Sequence, residues 1–176
     1  MSHSISLAHT AADSWSGVQT VRAGHIPEHL PSPDLYAMVE QDEEPLLKIE
    51  IYKNPNEYSA FEAAALWKGF AAIGFGERVY LVNVSSKQVL EFSLDGYFGQ
   101  LQANDNQLLV ASAQNVVALD PSGVMLWRSD ELGIDGVVLY EANANEIRGS
   151  GEWGPPGGWK EFRLSASTGR LLHLDA

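Results

Sequence analysis

Ala118-Leu119-Asp120-Pro121-Ser122-Gly123-Val124-Met125-Leu126-Trp127 is the stretch on which the fold turns. Two short apolar runs flank Asp-Pro-Ser-Gly. Pro presets φ for the first corner of a turn, Asp and Ser bond back to their own main chain, and Gly tolerates positive φ. The stretch therefore reads as a β-hairpin.

Two further segments overlay it. Val79-Tyr80-Leu81-Val82-Asn83-Val84-Ser85-Ser86-Lys87-Gln88-Val89-Leu90-Glu91-Phe92 and Glu161-Phe162-Arg163-Leu164-Ser165-Ala166-Ser167-Thr168-Gly169-Arg170-Leu171-Leu172 each run from apolar strand through polar turn to apolar strand. A further strand precedes each of the three, at Ala71–Phe75, Leu108–Ala113 and Ile147–Glu152. The pattern predicts a unit of about three strands, repeated over 70–93, 107–128 and 146–174, with a period near that of propeller blades.

The segment 118–127 resembles the repeats of PQQ-type and related β-propellers, which place an Asp before the turn, a Gly in it and a Trp after it. Thr168-Gly169 is similar, whereas the first segment departs, with Lys87 in the Gly place and Phe92 near the Trp place. The likeness covers residues 70–176 and implies architecture only. No quinone-site motif accompanies it, so no cofactor is expected.

Working outward, Leu35–Glu40 and Leu46–Lys53 form another hairpin around the acidic turn Gln41–Pro45, giving a hairpin over 35–53. Its second strand alternates, with Leu47, Ile49 and Ile51 on one face and Lys48, Glu50 and Tyr52 on the other. Ala63, Ala64 and Ala65 predict a short helix over 58–68, with a strand starting near Ala64 as the competing reading. Residues 1–34, broken by Pro27, Pro31 and Pro33, read as an irregular segment with one short strand at Val18–Arg22. The expected fold is mostly β: repeated antiparallel hairpins in a small or partial propeller-like, twisted-sheet domain over 35–176.

Charge narrows the function. The chain has 176 residues, 23 acidic against 11 basic, net −12, and no cysteine. Nucleic acid and anionic membranes are disfavoured as partners, because phosphate contacts need Lys and Arg. A thiolate metal site, a disulfide framework and a cysteine nucleophile are excluded. The first residues lack the basic start and apolar run of a signal peptide, and the apolar runs are too short for a membrane helix, so a cytoplasmic protein is expected. An acidic surface either keeps the chain soluble or steers a basic partner.

Catalytic motifs are missing. His25 and His29 flank Pro27, which no helical metal motif tolerates. Gly149-Ser150-Gly151 lacks the five-residue nucleophile elbow. No phosphate loop, dinucleotide fingerprint or EF-hand is present, and the expectation is a non-enzyme. The most informative stretch is Gly149-Ser150-Gly151-Glu152-Trp153-Gly154-Pro155-Pro156-Gly157-Gly158-Trp159-Lys160, which interrupts the third repeat with a Pro-Gly loop between two tryptophans. Trp supplies interface anchors and Pro limits unfolded freedom.

A partner-binding set of Trp153, Trp159, Glu152, Glu161, Asp130, Glu131 and Asp135 follows. In composition the chain resembles small bacterial immunity proteins, which neutralise a cognate toxin by binding; the resemblance implies a basic protein partner. The alternatives are a carbohydrate-binding or carbohydrate-hydrolysing domain, using Trp153 and Trp159 with paired carboxylates such as Glu152 and Glu161, and a scaffold module of a larger assembly.

Overall fold

The turn that Asp120 opens forms as the sequence predicts: its Oδ1 accepts from the backbone N–H groups of Ser122 at 2.8 Å and Val124 at 2.9 Å. Gly123 sits at φ 83°, in the left-handed region. The computed structural model describes residues 2–175. Hairpins of this kind build four sheets of four strands each.

The first sheet holds β1 (His3–Ala8), β2 (Thr20–Gly24), β3 (Leu35–Gln41) and β4 (Glu44–Tyr52), ordered β1-β3-β4-β2. The second is a meander of β5 (Glu62–Trp67), β6 (Phe70–Phe75), β7 (Arg78–Asn83) and β8 (Val89–Ser93). The third runs β9 (Phe98–Ala103), β10 (Leu108–Ser112), β11 (Val116–Leu119) and β12 (Met125–Arg128). The fourth runs β13 (Val137–Ala142), β14 (Glu146–Glu152), β15 (Trp159–Ser165) and β16 (Leu171–Leu174). All neighbours pair antiparallel except β2, which runs parallel to β4. First strands of successive sheets lie side by side, β1 by β5, β5 by β9 and β9 by β13. The architecture is propeller-like, with mostly antiparallel four-stranded blades.

Three expectations change. The repeat has four strands rather than three, because β9 had no strong apolar run to announce it. Residues 58–68 are not helical: 58–61 are loop and β5 occupies Glu62–Trp67. Lying between β1 and β9, β5 turns Ala64 and Leu66 toward the first sheet's core and Ala63 and Trp67 toward the third's. That two-sided packing overrides the helix preference of alanine. Residues 1–34, expected to be irregular, supply both edges of the first sheet. The strand expected at 18–22 forms two residues later, as β2.

Three apolar clusters join first to second, second to third, and third to fourth sheets. Strands β6, β10 and β11 are buried throughout because both of their faces are covered. Residues in β15 alternate instead, because the fourth sheet packs on one face only, whereas β4 is buried on both faces over Ile49–Tyr52. Gly74 marks the tightest approach: a Cβ there would stand 2.0 Å from the ring of fully buried Phe98. The outer face of the first sheet is sealed by its own chain. Trp15, on a short 3-10 turn between β1 and β2, meets Tyr36 at 6.3 Å, and buried Glu50 is paired by Arg22 at 2.9 Å and Lys48 at 3.3 Å. The outer face of the fourth sheet is exposed and carries an ion-pair cluster beside Tyr140, with Glu146 shared by Arg148 at 2.6 Å and Arg163 at 3.4 Å.

Candidate functional site

The sheets have two ends, and the connections at one of them gather aromatic side chains. At this upper end lie the loops 53–61, 94–97, 129–136 and 153–158, together with the turns joining β6 to β7 and β10 to β11. A relay of main-chain hydrogen bonds ties them together. Phe98 N–H donates to Gly76 O at 2.7 Å, Ala113 to Tyr97 at 2.9 Å, Gly136 to Ala113 at 2.8 Å and Glu152 to Gly136 at 2.9 Å. Asp95 adds a side-chain clamp, accepting from Arg128 at 2.7 Å and from Asn115. The Arg128 hydrogen bond, aided by that from Asn115, holds the Asp95 carboxyl below its ordinary range despite the opposing effect of burial.

On this frame sits a groove of about 500 Å³ lined by Phe61, Tyr97, Gly99, Gln100, Asp135, Gly136, Val138, Glu152 and Trp159, among others. Tyr97 is its centre. Its hydroxyl donates to Asp135 O at 2.6 Å, and its ring meets Tyr58 edge-on at 5.5 Å and Phe61 at 6.0 Å. Gly136 forms the floor between Tyr97 and Trp159: a Cβ added there would stand 3.2 Å from Trp159 Cη2 and 3.7 Å from the Tyr97 hydroxyl. Tyr58, Phe61 and Trp159 are 63, 56 and 45 % exposed, so three large aromatic side chains in one neighbourhood contribute little to the core. Such clustering makes a contiguous exposed aromatic patch, unlike the single exposed apolar residues that any surface carries.

The electrostatics of the groove are negative. Burial first, and then the charge of Asp135 and its hydrogen bond, with Glu152 and Tyr58 adding to them, push the Tyr97 hydroxyl up to about 12. Among the described residues no Lys, Arg or His forms an ion pair with Asp135 or Glu152, whereas Glu57, Asp95 and Glu146 each have an arginine.

The seven residues singled out from the sequence separate. Trp159, Glu152 and Asp135 come together in the groove. Trp153 does not line it; it is half-buried behind the loop, and its indole N–H finds no partner. Glu161 stands on the outer face of the fourth sheet, opposite Ser150, beside a different hollow lined by Tyr140, Arg148 and Arg163. Asp130 and Glu131 are exposed and outside the groove. Glu152 also holds its own loop, accepting from Gly157 N–H at 2.6 Å.

Sequence reasoning missed Tyr58, Phe61 and Tyr97. A signal was present: Tyr58 and Tyr97 stand within two residues of turn-rich Asn54–Asn56 and Asp95-Gly96, where a turn needs no aromatic residue. Among the described residues, no group of three or more His, Asp or Glu is placed to hold a metal ion, and no helix is long and apolar enough to cross a membrane.

No family model matches the sequence, and no curated relative matches it. A search of solved structures finds the N-terminal domain of Nup159, 10 % identical, with a TM-score of 0.47 over 99 % of this chain and 50 % of that one. The chain thus spans half the length of that domain.

Proposed function

We propose that this chain is a non-enzymatic protein-binding module whose contact surface is the upper groove. One observation carries the reading: Tyr58, Phe61, Tyr97 and Trp159 cluster on a hydrogen-bonded frame, three of them largely in solvent. Aromatic side chains so placed supply large contact area at little cost in side-chain entropy. The acidic surface supports a basic partner, and an immunity protein neutralising a basic toxin is the finer form of the proposal. A scaffold role in a larger assembly would use the same face.

Affinity capture at low and high salt tests it, with wild type beside Phe61→Ala and Trp159→Ala. The expected result is a partner that both variants lose and that high salt weakens. A partner retained by both variants overturns the groove as the contact surface. Glycan-array binding abolished by Trp159→Ala would replace a protein partner with a carbohydrate one.

A further inference from the structure

We infer that the upper groove receives an arginine side chain of a basic partner segment, its guanidinium lying against the Tyr97 and Trp159 rings between the carboxylates of Asp135 and Glu152. The inference rests on the protein-binding reading and names the chemistry of its anchor.

Three features of the groove converge on a planar cation. The first is the aromatic lining. Aromatic ring faces carry negative charge density, and a cation within about 6 Å of a ring centroid is attracted to it. The second is the pair of carboxylates. Asp135 Oδ1 stands 3.3 Å from the Tyr97 hydroxyl, which donates to the Asp135 carbonyl, Glu152 Oε1 accepts from Gly157 N–H, and neither carboxylate forms an ion pair with Lys, Arg or His among the described residues. The contrast with the rest of the molecule is informative. Arginine is already used to neutralise Glu57, Glu50 and Glu146 elsewhere. Burial is the first cause of the raised Tyr97 hydroxyl, and the charges of Asp135 and Glu152 add to it from inside the groove.

The third feature is shape. Gly99 and Gly136 keep the floor free of side chains. A guanidinium is flat, weakly hydrated and able to stack and to donate in its own plane, which a slot of ring and carboxylate rewards more than a compact ammonium does. A neutral sugar would gain from the rings but not from the unpaired charge.

The test is an NMR titration of the full chain with a pentapeptide carrying one arginine between glycines, blocked at both ends, against the same peptide carrying citrulline. Citrulline keeps the shape and loses the charge. The arginine peptide is expected to shift amides near residues 58–61, 97–99, 135–138 and 152–159 and the Trp159 indole signal. The citrulline peptide is expected to bind about tenfold more weakly, as are Asp135→Asn and Glu152→Gln with the arginine peptide. Glu152→Gln keeps the acceptor for Gly157, so loss of the loop is not the cause, and unchanged amide shifts beyond the groove verify the fold.

Equal binding of the two peptides, shifts spread over the acidic surface, or no binding up to about 10 mM overturns the arginine site. Should a captured partner still depend on Phe61 and Trp159 in that case, the protein-binding reading stands and only the arginine anchor fails.

Discussion

The two ends of the sheets are made of different material. At the lower end, four hairpin turns close themselves in the same way. The side-chain oxygens of Asn83, Asn104, Asp120 and Asn143 each accept two backbone N–H groups of their own turn at 2.8–3.0 Å. The turn residues there are mostly small or polar, and these side-chain hydrogen bonds stay within the turn, with only a few links such as Trp67 Nε1–H to Asn104 O at 2.7 Å reaching a neighbouring sheet. At the upper end the loops satisfy one another through a relay across sheets and leave aromatic rings in solvent. The lower end is thus finished as structure, whereas the upper end is held rigid around groups that the fold does not consume. That difference locates the candidate site more sharply than any one residue does.

The comparison can be broken at several points. The largest effect is expected from Arg78→Ala. Arg78 Nε pairs with Glu57 Oε1 at 2.7 Å, and Glu57, its side chain 9 % exposed, also accepts from Glu77 N–H and so anchors the loop that carries Tyr58 and Phe61. Removing the guanidinium leaves a buried carboxylate unpaired, at a cost of about 3 kcal/mol in urea unfolding, with weaker partner capture. Gly136→Ala comes next, at about 1–2 kcal/mol. Its φ of 152° disfavours other residues, and the added methyl intrudes between Trp159 and Tyr97, so capture should fall as well. Asn143→Ala should cost about 1 kcal/mol by freeing two turn N–H groups, and it should leave capture unchanged because it acts at the other end.

A pH titration of wild type beside Asp95→Asn isolates the upper frame. The folded carboxyl of Asp95 lies below its ordinary value, so its contribution is present above about pH 4 and is lost as pH falls through that lower folded value. Asp95 is half-exposed, and solvent screening keeps the effect under about 1 kcal/mol. Unfolding midpoints from pH 7 to pH 3 should therefore fall slightly more steeply for wild type than for Asp95→Asn. Phe61→Ala is expected to change stability least, by about 0.5 kcal/mol or less, because the ring is mostly in solvent, and yet to remove capture.

Much of this arrangement was legible in the sequence. The hairpin at 118–127 and its two overlays read out the last two strands of the second, third and fourth sheets, and the alternation at 46–53 marked a strand with one wholly apolar face. The first strands were harder to see, for a physical reason. β5 and β9 lie where adjacent blades converge, and such positions take Ala, Gly and Gln rather than long apolar runs. β2 showed only as a short strand at 18–22, and the pairing of β1 and β2 with strands 20 or more residues away left no local trace. For the site, the Pro-Gly loop pointed to Trp159, Glu152 and, through the neighbouring loop, Asp135. Tyr58, Phe61 and Tyr97 come from two other sheets' connections, and only the stacking of the sheets brings them together.

The central claim is that recognition occurs at the upper end, and footprinting of the complex by hydrogen exchange tests it most directly. On partner binding, protection is expected in 58–61, 97–99, 135–138 and 152–159, with the lower turns at 83–87, 104–107, 120–123 and 143–145 unchanged. Protection of those lower turns with an unaltered groove would contradict it.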